Sequence, residues 1–170
     1  MIFETNRVYE FDLGDMSDSV LTHDEMIKHY EENSSPLSFI TEKYLSKWFD
    51  NLESFKKYNG TTVKNILCSN GENKIKIVPD LIDTITNVIC DQKAFSAKGG
   101  SCRRSKEKGV GREKNQHLWE SWLSAQTMIW TDFCELPKMK VIGLTGDECL
   151  RRFPTGNISF KDRESLFTSR

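Results

Sequence analysis

Val78-Pro79-Asp80-Leu81-Ile82-Asp83-Thr84-Ile85-Thr86-Asn87-Val88-Ile89-Cys90-Asp91-Gln92-Lys93 is the stretch whose reading decides the fold. It closes two short apolar runs with one carboxylate each and places a lysine two residues after the second. A short connection over Asp83 to Asn87 makes the runs adjacent antiparallel strands, and a short turn pins their register. That register predicts that Asp80 and Asp91 lie near each other at the strand ends. Alternation along a strand then points Asp91 and Lys93 to one face and Gln92 to the other.

Two carboxylates and an ammonium in one small site suit metal-assisted hydrolysis of a phosphodiester. Hard cations such as Mg2+ or Mn2+ take oxygen ligands and keep several waters, so two carboxylates can hold one and leave room for a phosphate oxygen and an attacking water. Lys93 is placed to orient or deprotonate that water, or to stabilise charge on the phosphate. Both acids follow β-prone segments, Asn-Val-Ile-Cys before Asp91 and Ile-Lys-Ile-Val-Pro before Asp80.

The 170 residues, 37% of them hydrophobic, are enough for a single globular core without staples. Cys68, Cys90, Cys102, Cys134 and Cys149 form no CxxC pair, and the N-terminus lacks the charged-then-apolar profile of a signal peptide. These features predict an intracellular setting: cytoplasm, or the host cell for a viral or phage protein. No apolar run approaches the roughly 18 residues of a membrane span, so no membrane partner is expected.

The formal net charge of −1 hides an asymmetry. Lys98, Arg103, Arg104, Lys106, Lys108, Arg112 and Lys114 stand against only Glu107 and Glu113, so the segment 98–114 carries +5 and the remainder −6. Its glycines and serines predict a loop, and a cationic loop beginning five residues after Lys93 is a phosphate-binding device whose contribution falls with salt.

Residues 1–35 are acidic and weakly periodic and read as an N-terminal helical extension, with a helix from His23 to Glu32, packed on a single domain over 36–170. Ser34-Ser35-Pro36 breaks the chain, and Ser38 can cap a helix in which Ile40, Tyr44, Leu45, Trp48, Phe49, Leu52 and Phe55 recur at helical spacing. Thr61 to Cys68 and Lys74 to Val78 flank Asn70-Gly71, a hairpin signal, so three strands are expected before the basic segment. The apolar residues from Leu118 to Phe133 predict a second helix over about Glu113 to Glu135, ended by Pro137. Lys140 to Leu144 reads as a closing strand.

Pro79-Asp80 and Asp91-Gln92-Lys93 resemble the two halves of the PD-(D/E)xK nuclease signature, and helix, three strands, helix, strand resembles that superfamily's core over roughly residues 38 to 146. The resemblance implies an α/β fold with a restriction-endonuclease-like αβββαβ core, a mixed central sheet flanked by helices. It implies a metal-dependent endonuclease with Asp80 and Asp91 as Mg2+ or Mn2+ ligands and Lys93 positioning water and phosphate. Glu42 in Phe-Ile-Thr-Glu-Lys-Tyr-Leu resembles the helical acid that commonly completes the metal site, and Gln116 resembles a helical glutamine of some relatives. One departure is Asp91, where Glu is commoner.

Glu42, Asp80, Asp91 and Lys93 are ordered much as in phage Holliday-junction resolvases and TnsA-type nucleases, which favours DNA. Viral cap-snatching endonucleases are a competing match that makes RNA the substrate, with His23 or His29 as a further metal ligand. Leu144-Thr145-Gly146-Asp147-Glu148 also looks like a stretch of that branch. A non-catalytic nucleic-acid-binding or adaptor module, with the acids and lysine as a structural ion pair, is the reading from another class. Nothing in the sequence signals a dimer, leaving a homodimer or a larger protein complex open.

Overall fold

The computed structural model describes residues 1–12, 37–55, 64–67, 74–77, 80–95, 102–103, 126–135, 137–154, 157–158 and 160–168. Side chains at 37–40, 42–43, 64–67, 74–77, 102–103 and 157 lie outside the description. The fold is mixed α/β, built on a six-stranded sheet.

One half of this sheet is built on the hairpin foreseen in the sequence. Strand β5 (Leu81–Asp83) pairs antiparallel with β6 (Val88–Phe95), with Leu81 opposite Cys90 and Asp83 opposite Val88. The Asp83 carboxylate accepts the N–H groups of Ile85 (2.9 Å) and Thr86 (3.2 Å), and Asn87 takes the left-handed conformation at φ 58°. Asp and Asn suit those places because one hydrogen-bonds the backbone just ahead of it and the other tolerates positive φ. Asp91 does not end its strand: β6 runs on through Lys93 to Phe95.

Strand β2 (Leu52–Ser54) lies antiparallel on the other side of β5. Beyond β6 comes β8 (Gln126–Glu135), which runs parallel to it, and β9 (Lys138–Thr145), antiparallel to β8 with a register irregularity between Asp132 and Glu135. Strand β1 (Val8–Asp12) closes the order β1-β9-β8-β6-β5-β2. A parallel pair requires a crossover connection, which here spans residues 96–125.

Several expectations are corrected. Gln126 to Glu135 was expected in a helix and is strand β8. Met128, Ile129, Trp130 and Phe133 mimic helical spacing because both faces of this central strand are buried, and a continuous apolar run fits either element. Pro137 therefore sits in a strand-to-strand turn, and residues 113–125 of the expected helix lie outside the described residues. The first helix, α1 (Leu37–Trp48), stops before Leu52 and Phe55. The chain turns at Asn51, whose side chain accepts from Phe3 N (2.7 Å) and donates to Phe3 O (3.1 Å). The N-terminal segment, read as helical, supplies a sheet strand at Val8–Asp12; the expected helix His23 to Glu32 falls outside the description.

Strands β3 (Lys64–Leu67) and β4 (Lys74–Ile77) pair antiparallel as expected, with Leu67 opposite Lys74, but form their own two-stranded sheet; Asn70-Gly71 lies outside the described residues. The strands preceding β6 in the large sheet are instead β1, β2 and β5. A third small ladder joins β7 (Cys102–Arg103) to β10 (Asn157–Ile158).

Each face of the large sheet has its own core. On one face, Tyr44, Leu45 and Trp48 of α1, together with Phe3, Tyr9, Phe11 and Phe49, cover Leu81, Cys90, Ile129, Phe133 and Val141. The aromatic rings pack closely, with Phe11 stacked on Trp48 at 4.2 Å and Tyr9 edge-on to Phe49 at 4.8 Å. On the other face Phe95, Met128, Trp130, Ile142 and Leu144 meet Cys149 of helix α2 (Gly146–Arg152), Phe153, Ile158 of β10 and Leu166 of the short helix α3 (Arg163–Leu166). Among the described residues no helix is long and apolar enough to cross a membrane.

Candidate functional site

Asp80 stands where β5 begins, immediately after a proline that can donate nothing to a ladder. Its N–H donates to Cys90 O (3.1 Å) and its carbonyl accepts Phe55 N–H (3.1 Å), which fastens it between β6 and the chain after β2. Gln92 N–H, which has no further β5 residue to bond, donates to Asp80 Oδ2 at 2.9 Å. The side chain thus takes the place of the missing strand and is held beside β6.

The β5–β6 register continues to bring Asp80 opposite Asp91. Burial, reinforced by the facing Asp91 charge, pushes the Asp80 carboxyl up from 3.8 to about 6, against the opposing pull of the Gln92 N–H and Lys93. Asp91 is 4% exposed. Lys93 Nζ lies 2.9 Å from Asp91 Oδ2, with only 17% of the lysine side chain exposed. That contact is an ion pair by distance only, because the buried Oδ2 accepts no hydrogen bond of acceptable geometry.

Strand alternation assigns the faces. Cys90 and Ala94 belong to the core under α1, so Asp91 and Lys93 lie on the opposite face, with Phe95, Met128 and Trp130. Asp80, Asp91 and Lys93 are therefore brought together as the sequence predicted. Glu42 is on α1, whose buried side covers the other face, and its side chain lies outside the described residues. Among the described residues no group of three His, Cys, Asp or Glu side chains converges, so the pair stands as a pair.

Of the basic residues, Arg103 is placed in β7, opposite Asn157 of β10. The neighbouring Ile158 packs on the Asp91 and Lys93 face, so Cys102 and Arg103 are paired on that side of the sheet. Lys98, Arg104, Lys106, Lys108, Arg112 and Lys114, like Gln116, His23 and His29, lie outside the described residues.

Sequence reasoning missed Gln126 and Trp130, which it folded into a helix. Gln126 Nε2 and Trp130 Nε1 are buried on the Asp91 face without hydrogen-bond partners among the described residues. The available signal was a glutamine opening an otherwise buried run. Cys90, adjacent to Asp91, is no nucleophile: burial, then the Asp83 charge, drives its thiol far above the usual range. Cavities of about 330 Å³ and about 220 Å³, both bordered by Glu135 and Lys140, include none of Asp80, Asp91 and Lys93.

Chemically, the pair offers carboxylate oxygens to a hard cation, and a cation held between the two acids would oppose the rise that burial and the facing Asp91 charge impose on Asp80. Asp91 Oδ2 already has the Lys93 ammonium at 2.9 Å, so its charge is partly met within the fold. The donor set therefore fits Mg2+ or Mn2+. The chain matches no protein-family model, no curated protein and no solved structure.

Proposed function

We propose that the chain is a metal-dependent endonuclease of the PD-(D/E)xK kind that hydrolyses phosphodiester bonds of nucleic acid, DNA before RNA. The observation that carries this reading is the juxtaposition of Asp80 and Asp91 at the point where β5 gives out, with the Lys93 ammonium on the same face. Support comes from the element order: α1, then β2, β5 and β6 as an antiparallel meander, then β8 parallel to β6 across a long connection.

Asp80 and Asp91 would hold the Mg2+ or Mn2+, which when bound supplies charge stabilisation on the phosphate and a water of lowered pKa. Asp80 is held in place for this by the Gln92 N–H, and it gives up its proton above about pH 6. Lys93, 2.9 Å from Asp91, orients the attacking water or donates to the phosphate. The basic segment holds the backbone by charge.

Asp80→Ala or Lys93→Ala abolishes Mn2+-dependent cleavage of DNA and RNA substrates while leaving most nucleic-acid binding in place; full cleavage in either variant overturns the assignment. A second reading, a binding or adaptor module, is favoured by the 2.9 Å Lys93–Asp91 contact and by the strand-capping bond from Gln92 to Asp80, both of which stabilise the fold without any cation. It requires specific nucleic-acid binding with no cleavage in Mn2+.

A further inference from the structure

Two hydrogen-bond donors on the Asp91 side of the sheet are buried without acceptors among the described residues. Gln126 is 3% exposed and its Nε2 is unbonded; so is Nε1 of the fully buried Trp130, two residues along β8. In the parallel register Ile89 lies beside Gln126, Asp91 beside Met128 and Lys93 beside Trp130. Asp91 is thus diagonal to both donors, and its Oδ2 is itself a buried acceptor without a hydrogen bond. Gln92 Nε2 is also unbonded but faces α1, away from this cluster.

A buried carboxamide is costly unless something accepts from it, and the opening position of a strand buried on both faces is a natural place for an apolar side chain. Glutamine there wastes stability unless an oxygen is held nearby during function. Trp130 is enclosed among Met128, Ile142 and Leu144, whereas Gln126 sits at the end of its strand with a longer, more adaptable side chain.

We infer that Gln126 is a further residue of the Asp80, Asp91 and Lys93 site, its carboxamide donating a hydrogen bond to an oxygen held beside Asp91. That oxygen belongs to the phosphodiester or to the water that attacks it. The inference deepens the hydrolase reading and rests on it for the identity of the oxygen, but not for the placement of Gln126.

Gln126→Leu and Gln126→Glu, compared with the wild-type chain in EDTA and in Mn2+, test it. Because Nε2 is unbonded in the fold, Gln126→Leu keeps or raises the melting temperature in EDTA while lowering kcat/KM by roughly tenfold or more. A loss carried by KM assigns the oxygen to the phosphodiester; a loss carried by kcat at constant KM assigns it to the water. Gln126→Glu adds a third carboxylate, so it melts lower in EDTA and gains more from Mn2+ than the wild type does. A drop of several degrees in EDTA for Gln126→Leu, or a Mn2+ response in Gln126→Glu no larger than the wild-type one, overturns the inference. Absence of cleavage by the wild type sinks the hydrolase reading alone, since the Mn2+ response of Gln126→Glu still decides whether residue 126 faces the carboxylates.

Discussion

Asp80 is tied down by two backbone hydrogen bonds and one through its carboxylate, and its acidity follows from that placement. The folded carboxyl titrates near 6 against 3.8 unperturbed, so between these values the fold keeps a proton that the unfolded chain has released. Stability therefore falls as pH rises from about 4 to about 6, and above that the whole cost is carried. Asp80→Asn removes the cost while preserving an acceptor for Gln92 N–H. We expect it to be more stable than the wild type by about 1–3 kcal/mol at pH 8 and indistinguishable at pH 3.5, read by denaturant unfolding at both pH values. Equal stability at pH 8 would show that the carboxyl is solvated. At this scale the sequence was informative: a turn too short to slip fixed which residues face each other, so Asp80, Asp91 and Lys93 could be grouped from spacing alone. Gln126 was not legible, because its meaning depends on register with β6, a partner distant in sequence.

Elements were read unevenly, for a physical reason. Hairpins announce themselves through local turn chemistry, as at Asp83 to Asn87. Central strand β8 has no local signature, since its apolar residues serve both cores and their spacing satisfies a helix equally well. Strand β1 was hidden because its residues Tyr9 and Phe11 acquire their role only by packing on α1 and pairing with β9. That pairing creates one unforgiving position. The Phe3 ring lies against Gly143, where an added Cβ would come within 2.2 Å of Phe3 Cζ. Asn6 N–H donates to Gly143 O at 2.7 Å, so the backbone cannot retreat. Gly143→Ala should cost about 1–3 kcal/mol and lower the melting temperature, and adding Phe3→Leu should recover part of the loss. Full stability in Gly143→Ala would mean the N-terminal segment is not seated on β9.

The whole molecule separates two tasks across one sheet. Aromatic packing under α1 holds one face, while the other carries the acid pair and the lysine. Of the basic segment, Cys102 and Arg103 pair with β10, whose Ile158 packs on the side where Asp91 and Lys93 lie. Neutralising Arg103, Arg104, Lys106 and Lys108 should weaken nucleic-acid binding and reduce the slope of log Kobs against log salt by up to about 3, without altering the melting temperature of the free chain. An unchanged slope would place the phosphate contacts elsewhere.

The hydrolase reading depends on the carboxylate pair accepting a divalent cation, which the melting temperature at pH 7 measures with and without Mn2+ in the wild type and in Asp80→Asn. A cation that binds only the folded state stabilises it, so the account predicts a rise of several degrees in the wild type, abolished or much reduced in Asp80→Asn. A wild-type melting temperature indifferent to Mn2+, or an equal rise in both chains, would contradict it.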